Sequence, residues 1–301
     1  MRVTVTAPAL DAPANRPGRS SPIWSPSWCL TERVPGAVRI ACCQLVPDID
    51  HPVASAAQAR AALADAIRAG AQIVVLPELC TSGYAFSSAA EARAAAEPAS
   101  GPLLRSWAQE AAHTGAVVIG GFCELADDGR VFNSAALVDA SGVRAVYRKL
   151  HLWDREPRWF SHGEDPAPVV PTRFGKIGIG VCYDIEFPEL TRGLALGGAQ
   201  LIALPANWPR EPPPPGRPMP ALQLLAQATA SISRVYVAAC DRGGSERGLA
   251  FQGASVIAAP DGAILSAAEP AMADSETTAQ RLLADCDLTT ALDKRTGQAW
   301  L

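Results

Sequence analysis

Short apolar runs alternate with alanine-rich amphipathic stretches along the chain from residue 37 onward. Most runs have the length of a strand, and glycine or proline interrupts the chain between them, as is typical of an α/β protein. The pattern predicts strands at 37–46, 73–78, 116–122, 132–139, 143–149, 176–182, 200–206, 235–240 and 281–288, and a hairpin at 254–267. It predicts helices at 52–70, from Gly101-Pro102 to Gly115, at 188–198 and at 221–233. Because hairpin and crossover connections both occur, this order favours an α/β sandwich over a purely parallel sheet.

Two segments do not follow the alternation. Residues 1–36 are rich in Pro, Ser and Arg without sustained periodicity, which predicts a disordered N-terminal extension or an artefact of an upstream start codon. Residues 210–220, with the sequence REPPPPGRPMP, predict an exposed loop because repeated proline is incompatible with a regular element. We therefore expect one folded domain over residues 37–301.

Composition narrows the classes of function. The 301-residue chain has a net charge of −4, which gives no support for nucleic acid or an anionic membrane as its main partner. Its apolar runs are far shorter than the roughly 20 residues that a membrane helix requires. Eight cysteines are scattered through the chain without a CxxC or HExxH pattern, which favours reduced thiols over a structural zinc site. We expect a cytoplasmic protein that needs no metal or organic cofactor.

Three reactive side chains each end a predicted buried strand. Glu78 ends IVVLPE, Lys149 ends VYRK, and Cys182 ends GIGVC. Side chains at the carboxyl ends of strands in α/β sheets converge on one crevice. Only three of the 26 basic residues are lysines, so a position that remains lysine suggests a need for an amine rather than a guanidinium.

An acid, an amine and a thiol at one place are suited to acyl transfer. The thiolate is the nucleophile, and Glu78, desolvated at a strand end, should have a raised pKa and serve as the base. Lys149 would hold the oxyanion, with the backbone N–H of Tyr183 as the second donor, at about 3–4 kcal/mol per donor in comparable sites. Taken singly, each residue has an ordinary interpretation as a strand-end acid, a surface lysine or a core thiol.

The motifs around these residues resemble those of the nitrilase superfamily of carbon–nitrogen hydrolases. LPELCTSGY, YRKLHLW and GIGVCYDIEFPE follow one another in the order of that family's Glu–Lys–Cys triad, with GGFCE, VFNSAALVDASG and LPANWP between and after them. The resemblance covers about residues 38–290. It implies an α-β-β-α sandwich of two mixed sheets flanked by helices, and a homodimer or higher homo-oligomer. It also implies that Glu156, in DREPRWF, holds Lys149 and orients the substrate.

The resemblance further implies hydrolysis of a small aliphatic or amino-acid-type primary amide to carboxylate and ammonia, through a cysteine thioester. Tyr183-Asp184 favours the amide branch, because true nitrilases more often have Trp-Glu after the cysteine. Glu186 departs from the pattern, since many relatives have arginine there. Residues of the flanking loops that are expected to bind the substrate are Tyr84, Trp153, Glu186, Phe187, Asn207 and Trp208.

Three alternatives remain open from the sequence. The same triad could hydrolyse a nitrile or an N-carbamoyl amine. A Cys–His hydrolase could instead use His151 or His162. A ligand-binding or scaffold protein could have kept the fold and lost the chemistry.

Overall fold

The computed structural model describes residues 36–210, 219–269 and 278–291. The predicted N-terminal extension, apart from Gly36, and most of the predicted loop at 210–220 lie outside the described residues, as does the end of the chain from residue 292. The boundary between an extension and a domain near residue 37 therefore stays a prediction.

The described residues form two larger sheets and a short hairpin. In chain order the strands are β1 (Val38–Gln44), β2 (Ile73–Val75), β3 (Val117–Leu125), β4 (Val131–Asp139), β5 (Gly142–Arg148), β6 (Val169–Thr172), β7 (Gly175–Ile179), β8 (Leu201–Pro205), β9 (Tyr236–Cys240), β10 (Ser245–Glu246), β11 (Leu249–Ala250), β12 (Val256–Ala258), β13 (Ile264–Ala267) and β14 (Gln280–Cys286). The helices are α1 (Pro52–Arg68), α2 (Ala89–Ala95), α3 (Pro102–Thr114), α4 (Pro188–Leu196) and α5 (Ala221–Ser233). None of these helices is long and apolar enough to span a bilayer.

Both six-stranded sheets are mixed. The first has the order β14-β1-β2-β3-β4-β5, and the second has the order β13-β12-β9-β8-β7-β6. Each has three parallel strands at its centre, β1-β2-β3 in the first and β7-β8-β9 in the second, with antiparallel strands at its edges. The expected α-β-β-α sandwich is confirmed.

The alternation of side chains along β1 shows how the layers are held. Ile40 and Cys42 face the core between the two sheets, whereas Ala41 and Cys43 face the outer core that the first sheet shares with α1 and α3. Successive residues of a strand point to opposite faces, so a strand covered on both faces reads as a continuous apolar run. The same reasoning explains why the central strands were recognisable from the sequence.

The helix α2 and the strands β6, β10 and β11 were not predicted, and for α2 and β6 the reason is identifiable. The helix α2 is short and has no apolar period, although Ser88 caps it by accepting a hydrogen bond from the Glu91 backbone N–H at 3.1 Å. The strand β6 contains Pro171, which is tolerated there because β6 lies at the edge of its sheet. Two strand ends at the site were wrong: the strand predicted at 73–78 ends at Val75, and the strand predicted at 176–182 ends at Ile179. Cys182 begins a short 3₁₀ helix, Cys182–Glu186.

Candidate active site

Glu78 lies just beyond β2, where the backbone on both sides remains paired with β3. The Gly121 N–H donates to the Pro77 carbonyl at 2.9 Å, and the Cys80 N–H donates to the Gly121 carbonyl at 3.1 Å. A Cβ at Gly121 would come within 2.6 Å of the Leu79 nitrogen and would also strike the Cα of Glu78. Leu79 has a φ of 45°, a strained conformation for a non-glycine residue. This close backbone approach fixes the position from which the Glu78 side chain projects.

The Glu78 carboxylate is fully buried and held on one oxygen. Its Oε1 accepts hydrogen bonds from Asn133 Nδ2 at 2.6 Å and from Lys149 Nζ at 2.8 Å. No described protein group is hydrogen-bonded to its Oε2. Burial raises the pKa of Glu78, and the charge of Lys149 opposes that rise. One oxygen of a basic carboxylate therefore remains available for proton transfer.

Lys149 follows β5 and bridges two carboxylates. Its Nζ donates to Glu78 Oε1 and, at 2.9 Å, to Glu156 Oε1, and all three side chains are buried. Burial alone would lower the pKa of Lys149, but Glu156 and Glu78 together raise it well above its usual value. The lysine is therefore charged, and two of its three donors are used by carboxylates.

Glu156 begins a short 3₁₀ helix, Glu156–Arg158, in the loop after β5. Its Oε1 also accepts a hydrogen bond from the Tyr84 hydroxyl at 2.6 Å, and its Oε2 accepts one from the Trp153 backbone N–H at 3.3 Å. The loop acid predicted from the sequence thus lies in the buried cluster, in contact with Lys149, rather than in solvent.

Cys182 lies at the corresponding place after β7 in the second sheet. Its φ of 48° is again strained for a residue with a Cβ. Burial and the nearby charge of Glu78 raise the pKa of the Cys182 thiol, whereas the charge of Lys149 and a hydrogen bond from the Asn207 backbone N–H lower it. The charges of both the acid and the amine therefore act on the thiol.

The turn that carries Cys182 is fixed by Asp184, a residue to which the sequence analysis gave no role. Its carboxylate accepts hydrogen bonds from the Val181 backbone N–H at 2.9 Å, from the Tyr147 hydroxyl at 2.8 Å and from the His151 backbone N–H at 3.2 Å. Its Oδ1 also contacts the ring Nδ1 of His151 at 2.7 Å. A single buried carboxylate thereby ties the turn of the second sheet to the end of β5 in the first.

Among the described residues, neither histidine proposed for a Cys–His pair is hydrogen-bonded to Cys182. His151 is engaged by Asp184 and stacks on the Phe187 ring at 3.5 Å. The ring Nδ1 of His162 lies 3.1 Å from the Leu150 carbonyl. The geometry therefore gives no support to the Cys–His alternative.

A cavity of about 110 Å³ opens over the thiol. Its lining residues are Tyr84, Trp153, Cys182, Tyr183, Glu186, Asn207, Trp208, Pro209 and Ala221. Five of the six residues expected to bind substrate are among them. Phe187 is not, because its ring packs against His151 and Tyr183.

The wall formed by Asn207 and Trp208 is held by Asp241, which the sequence analysis also missed. The Asp241 carboxylate accepts hydrogen bonds from the backbone N–H groups of Trp208 at 2.8 Å, Arg242 at 2.9 Å and Ala254 at 2.9 Å. The Asn207 carboxamide is buried, and no described protein group is hydrogen-bonded to it. A substrate in the cavity would therefore meet an amide side chain with donor and acceptor available.

A larger cavity of about 450 Å³ lies on the other side of Tyr84 and Trp153, which line both cavities. Glu156 lines this larger cavity, whereas Cys182 lines only the smaller one. The described residues contain no cluster of three or more side chains suited to hold a metal ion. The reactive groups that the geometry brings together are the thiol, the amine and the carboxylates.

An α-β-β-α sandwich with a buried acid, lysine and thiol at the strand ends defines a class of hydrolases that act on carbon–nitrogen bonds. The sequence profile of the family described as carbon–nitrogen hydrolase matches residues 39–292, and the chain belongs to this family. It is an enzyme of the nitrilase superfamily that acts on carbon–nitrogen bonds.

Two curated relatives and one solved protein illustrate the similarity. The chain is 36% identical over 259 residues to a protein named nitrilase from Pyrococcus abyssi, covering 86% of this chain and 93% of that one. It is 34% identical over 194 residues to an (R)-stereoselective amidase from Pseudomonas sp., covering 64% and 67%. A crystal structure of an amidase from Nesterenkonia sp. superposes with a TM-score of 0.71 at 26% identity, covering 89% and 98%. Other structures of the amidase from Nesterenkonia sp. AN1 show acrylamide added at the active-site cysteine and butyramide bound.

Proposed function

We propose that the protein hydrolyses a small primary amide to a carboxylate and ammonia through a thioester on Cys182. The observation that carries this proposal is the buried Glu78 carboxylate, whose charge acts on the Cys182 thiol. Asn133 and Lys149 occupy its Oε1, and no described group is bonded to its Oε2. Such a carboxylate can take a proton from the thiol and return it to a leaving group.

In the first half-reaction, Glu78 removes the Cys182 proton and the thiolate attacks the amide carbon. The carbonyl oxygen becomes an oxyanion, which the third donor of Lys149 and the Tyr183 backbone N–H stabilise. Each such donor contributes about 3–4 kcal/mol in comparable acyl-transfer sites. As the carbon–nitrogen bond breaks, Glu78 returns the proton to the departing nitrogen, so ammonia leaves and the thioester remains.

In the second half-reaction, Glu78 takes a proton from water, and the resulting hydroxide attacks the thioester carbon. The carbon–sulfur bond breaks, the carboxylic acid is released, and the Cys182 sulfur regains a proton. Glu156 keeps Lys149 protonated throughout, and the family resemblance implies that it also orients the substrate. The cycle needs only the amide and water.

The size of the cavity supports a small substrate. Its volume of about 110 Å³ is well below the roughly 300–1,000 Å³ of typical drug-sized ligand pockets. The amidase from Nesterenkonia sp. AN1, which has the same fold, binds butyramide, a primary amide of four carbons. Nitrile hydrolysis is the second candidate, favoured by the relative named nitrilase, and N-carbamoyl amine cleavage would use the same triad. We also propose, from the family resemblance, a homo-oligomer in the cytoplasm.

The test is ammonia release from matched panels of primary amides, nitriles and N-carbamoyl amines. We expect primary amides to be turned over fastest and Cys182 to carry an acyl group, detectable by peptide mass spectrometry after rapid acid quenching. Cys182→Ala should release no ammonia. Cys286→Ala, which alters another buried thiol on β14, is the matched control and should remain active. Turnover confined to nitriles or to N-carbamoyl amines would overturn the assignment to amides.

A further inference from the structure

A buried ion pair on the segment after β9 has no role in the proposed mechanism. Arg242 Nη1 lies 3.3 Å from Glu246 Oε1, and both side chains are almost fully buried. Burying two charges costs several kcal/mol per ion unless further hydrogen bonds compensate. Because this ion pair is costly and lies close to the substrate cavity, the contacts that it makes indicate its role.

The Glu246 carboxylate binds the loop that carries Tyr84. Its Oε2 accepts hydrogen bonds from the backbone N–H groups of Tyr84 and Ala85, both at 2.7 Å. Its Oε1 accepts one from the Ile49 N–H at 2.9 Å. Three backbone donors from two separate segments thus converge on one side chain more than 160 residues from Tyr84 in the sequence.

The turn before Tyr84 is shaped around this carboxylate. Gly83 has a φ of 75°, and a Cβ there would lie 2.6 Å from Glu246 Oε1. The Tyr84 ring meets the Phe251 ring edge-to-face, with centroids 6.0 Å apart, and the Arg242 guanidinium lies 4.1 Å above the Phe251 centroid. The ion pair therefore holds Tyr84 by its backbone through Glu246 and by its ring through Phe251.

The position of Tyr84 determines the position of its hydroxyl, which donates to Glu156 Oε1 at 2.6 Å. The same oxygen of Glu156 accepts the hydrogen bond from Lys149. Burial and the charge of Glu156 raise the pKa of Tyr84 well above its usual value, so the hydroxyl keeps its proton and remains a donor. A displacement of the turn would withdraw this donor from Glu156.

We propose that Glu246 is a positioning residue of the hydrolase: it anchors the turn at 83–85 so that the Tyr84 hydroxyl holds Glu156 against Lys149. Glu246 acts through Tyr84 and touches neither the thiol nor Lys149. In Glu246→Gln the amide nitrogen cannot accept a hydrogen bond, so at least one backbone N–H loses its acceptor. This inference rests on the proposed function for its catalytic readout.

A double-mutant cycle of Glu246→Gln with Tyr84→Phe tests the proposal. For a primary amide we expect Glu246→Gln to lower kcat/KM on the order of 100-fold, as small misplacements of a positioned group do. In the Tyr84→Phe background the hydroxyl is already gone, so the same substitution should cost at least tenfold less. Residues that act through one another are non-additive, whereas independent structural effects add. An equal loss in both backgrounds, or no loss in the first, overturns the proposal.

Two further variants keep the test decisive. If Glu246→Gln fails to fold, Gly83→Ala displaces the same turn while leaving the ion pair chemically intact, and it should show the same dependence on the Tyr84 hydroxyl. Asp285→Asn is the matched control, because it removes a carboxylate that binds Arg39 through two hydrogen bonds of 2.8 and 2.7 Å at the β1–β14 pair. It should keep kcat/KM unchanged even if it lowers the melting temperature.

Alkylation separates failure of this inference from failure of the proposed function. For the same four proteins of the double-mutant cycle, peptide mass spectrometry measures the rate at which iodoacetamide alkylates Cys182. This readout requires no turnover of an amide. If the wild-type enzyme is alkylated but releases no ammonia from amides, the proposed function fails, and the alkylation cycle still decides the role of Glu246. Additive alkylation rates in that case would overturn the positioning role.

Discussion

The two sheets supply different halves of the candidate site and hold them in different ways. The first sheet supplies Glu78 and Lys149, whose side chains bind each other, and Glu78 also accepts a hydrogen bond from the Asn133 side chain of β4. The second supplies Cys182, whose sulfur accepts a hydrogen bond from the Asn207 backbone N–H. We call Glu78 and Lys149 the charged half of the site and Cys182 the thiol half. The side chains of the charged half are therefore positioned by ion pairs in a fully buried cluster, whereas the side chain of the thiol half is positioned by the path of the backbone.

This difference shows where each half is vulnerable. In the first sheet, removing one partner leaves an uncompensated buried charge. In the second, the surroundings of Cys182 depend on carboxylates that bind backbone N–H groups: Asp184 holds the turn at Cys182, and Asp241 holds Trp208. The strained φ angles occur at Cys182 itself and at Leu79, the residue after Glu78. The following predictions disturb one half at a time.

The largest effect is expected from Lys149→Met, which breaks the charged half. Glu78 and Glu156 would be left buried without their shared cation, and breaking a buried pair in this way typically costs about 3–5 kcal/mol. Loss of the oxyanion donor should reduce kcat on the order of 10²–10³-fold or more. Chemical denaturation and ammonia release measure the two effects.

Lys176→Met is the matched control for this experiment, because Lys176 lies on β7 and is exposed to solvent. It should leave both the free energy of unfolding and the rate of ammonia release close to those of the wild type. Activity of Lys149→Met within tenfold of the wild type would contradict the role given to the charged half.

Gly121→Ala is expected to have the second-largest effect, because it displaces Glu78 without changing any charge. The added methyl would meet the backbone of Glu78 and Leu79, which cannot move aside as a flexible side chain can. Overpacking of this kind costs about 1–3 kcal/mol, and a shift of the base should lower kcat on the order of 100-fold. Gly193→Ala in α4 is the control: its methyl meets nothing within 4 Å, so stability should be unchanged or slightly higher. Equal effects of the two substitutions on stability and kcat would show that the close backbone approach at Gly121 does not determine the position of Glu78.

The sequence revealed the halves of the site but not what holds them. Glu78, Lys149 and Cys182 follow apolar runs, and a position directly after a predicted strand can be recognised from the sequence alone. Asn133 also carried a signal, since a polar residue in a continuously buried strand needs a partner. Its partner, Glu78, lies 55 residues away, and no periodicity connects them.

The supporting carboxylates Asp184, Asp241 and Glu246 could not be assigned for a related reason. Each acts by accepting hydrogen bonds from backbone N–H groups, and a backbone N–H is the same for almost every residue type. Nothing in the letters at Trp208 or Tyr84 therefore indicates which acid binds them. The strained φ angle at Cys182 was hidden in the same way, because GIGVC reads as an uninterrupted strand.

The prediction for the thiol half concerns the pH dependence of stability rather than turnover. Burial raises the pKa of Asp241 to about 7 in the folded protein, against about 3.9 in the unfolded chain. Between about pH 4 and 7 the folded state therefore holds a proton that the unfolded state has lost, so the free energy of unfolding falls as pH rises, by up to about 1.4 kcal/mol per pH unit from this group. Asp241→Asn removes this contribution, and urea denaturation across that pH range should show a flatter slope than in the wild type. Titrating groups that the two proteins share cancel when the pH dependence of the free energy of unfolding is compared. Identical slopes would therefore mean that Asp241 is ionised throughout this pH range.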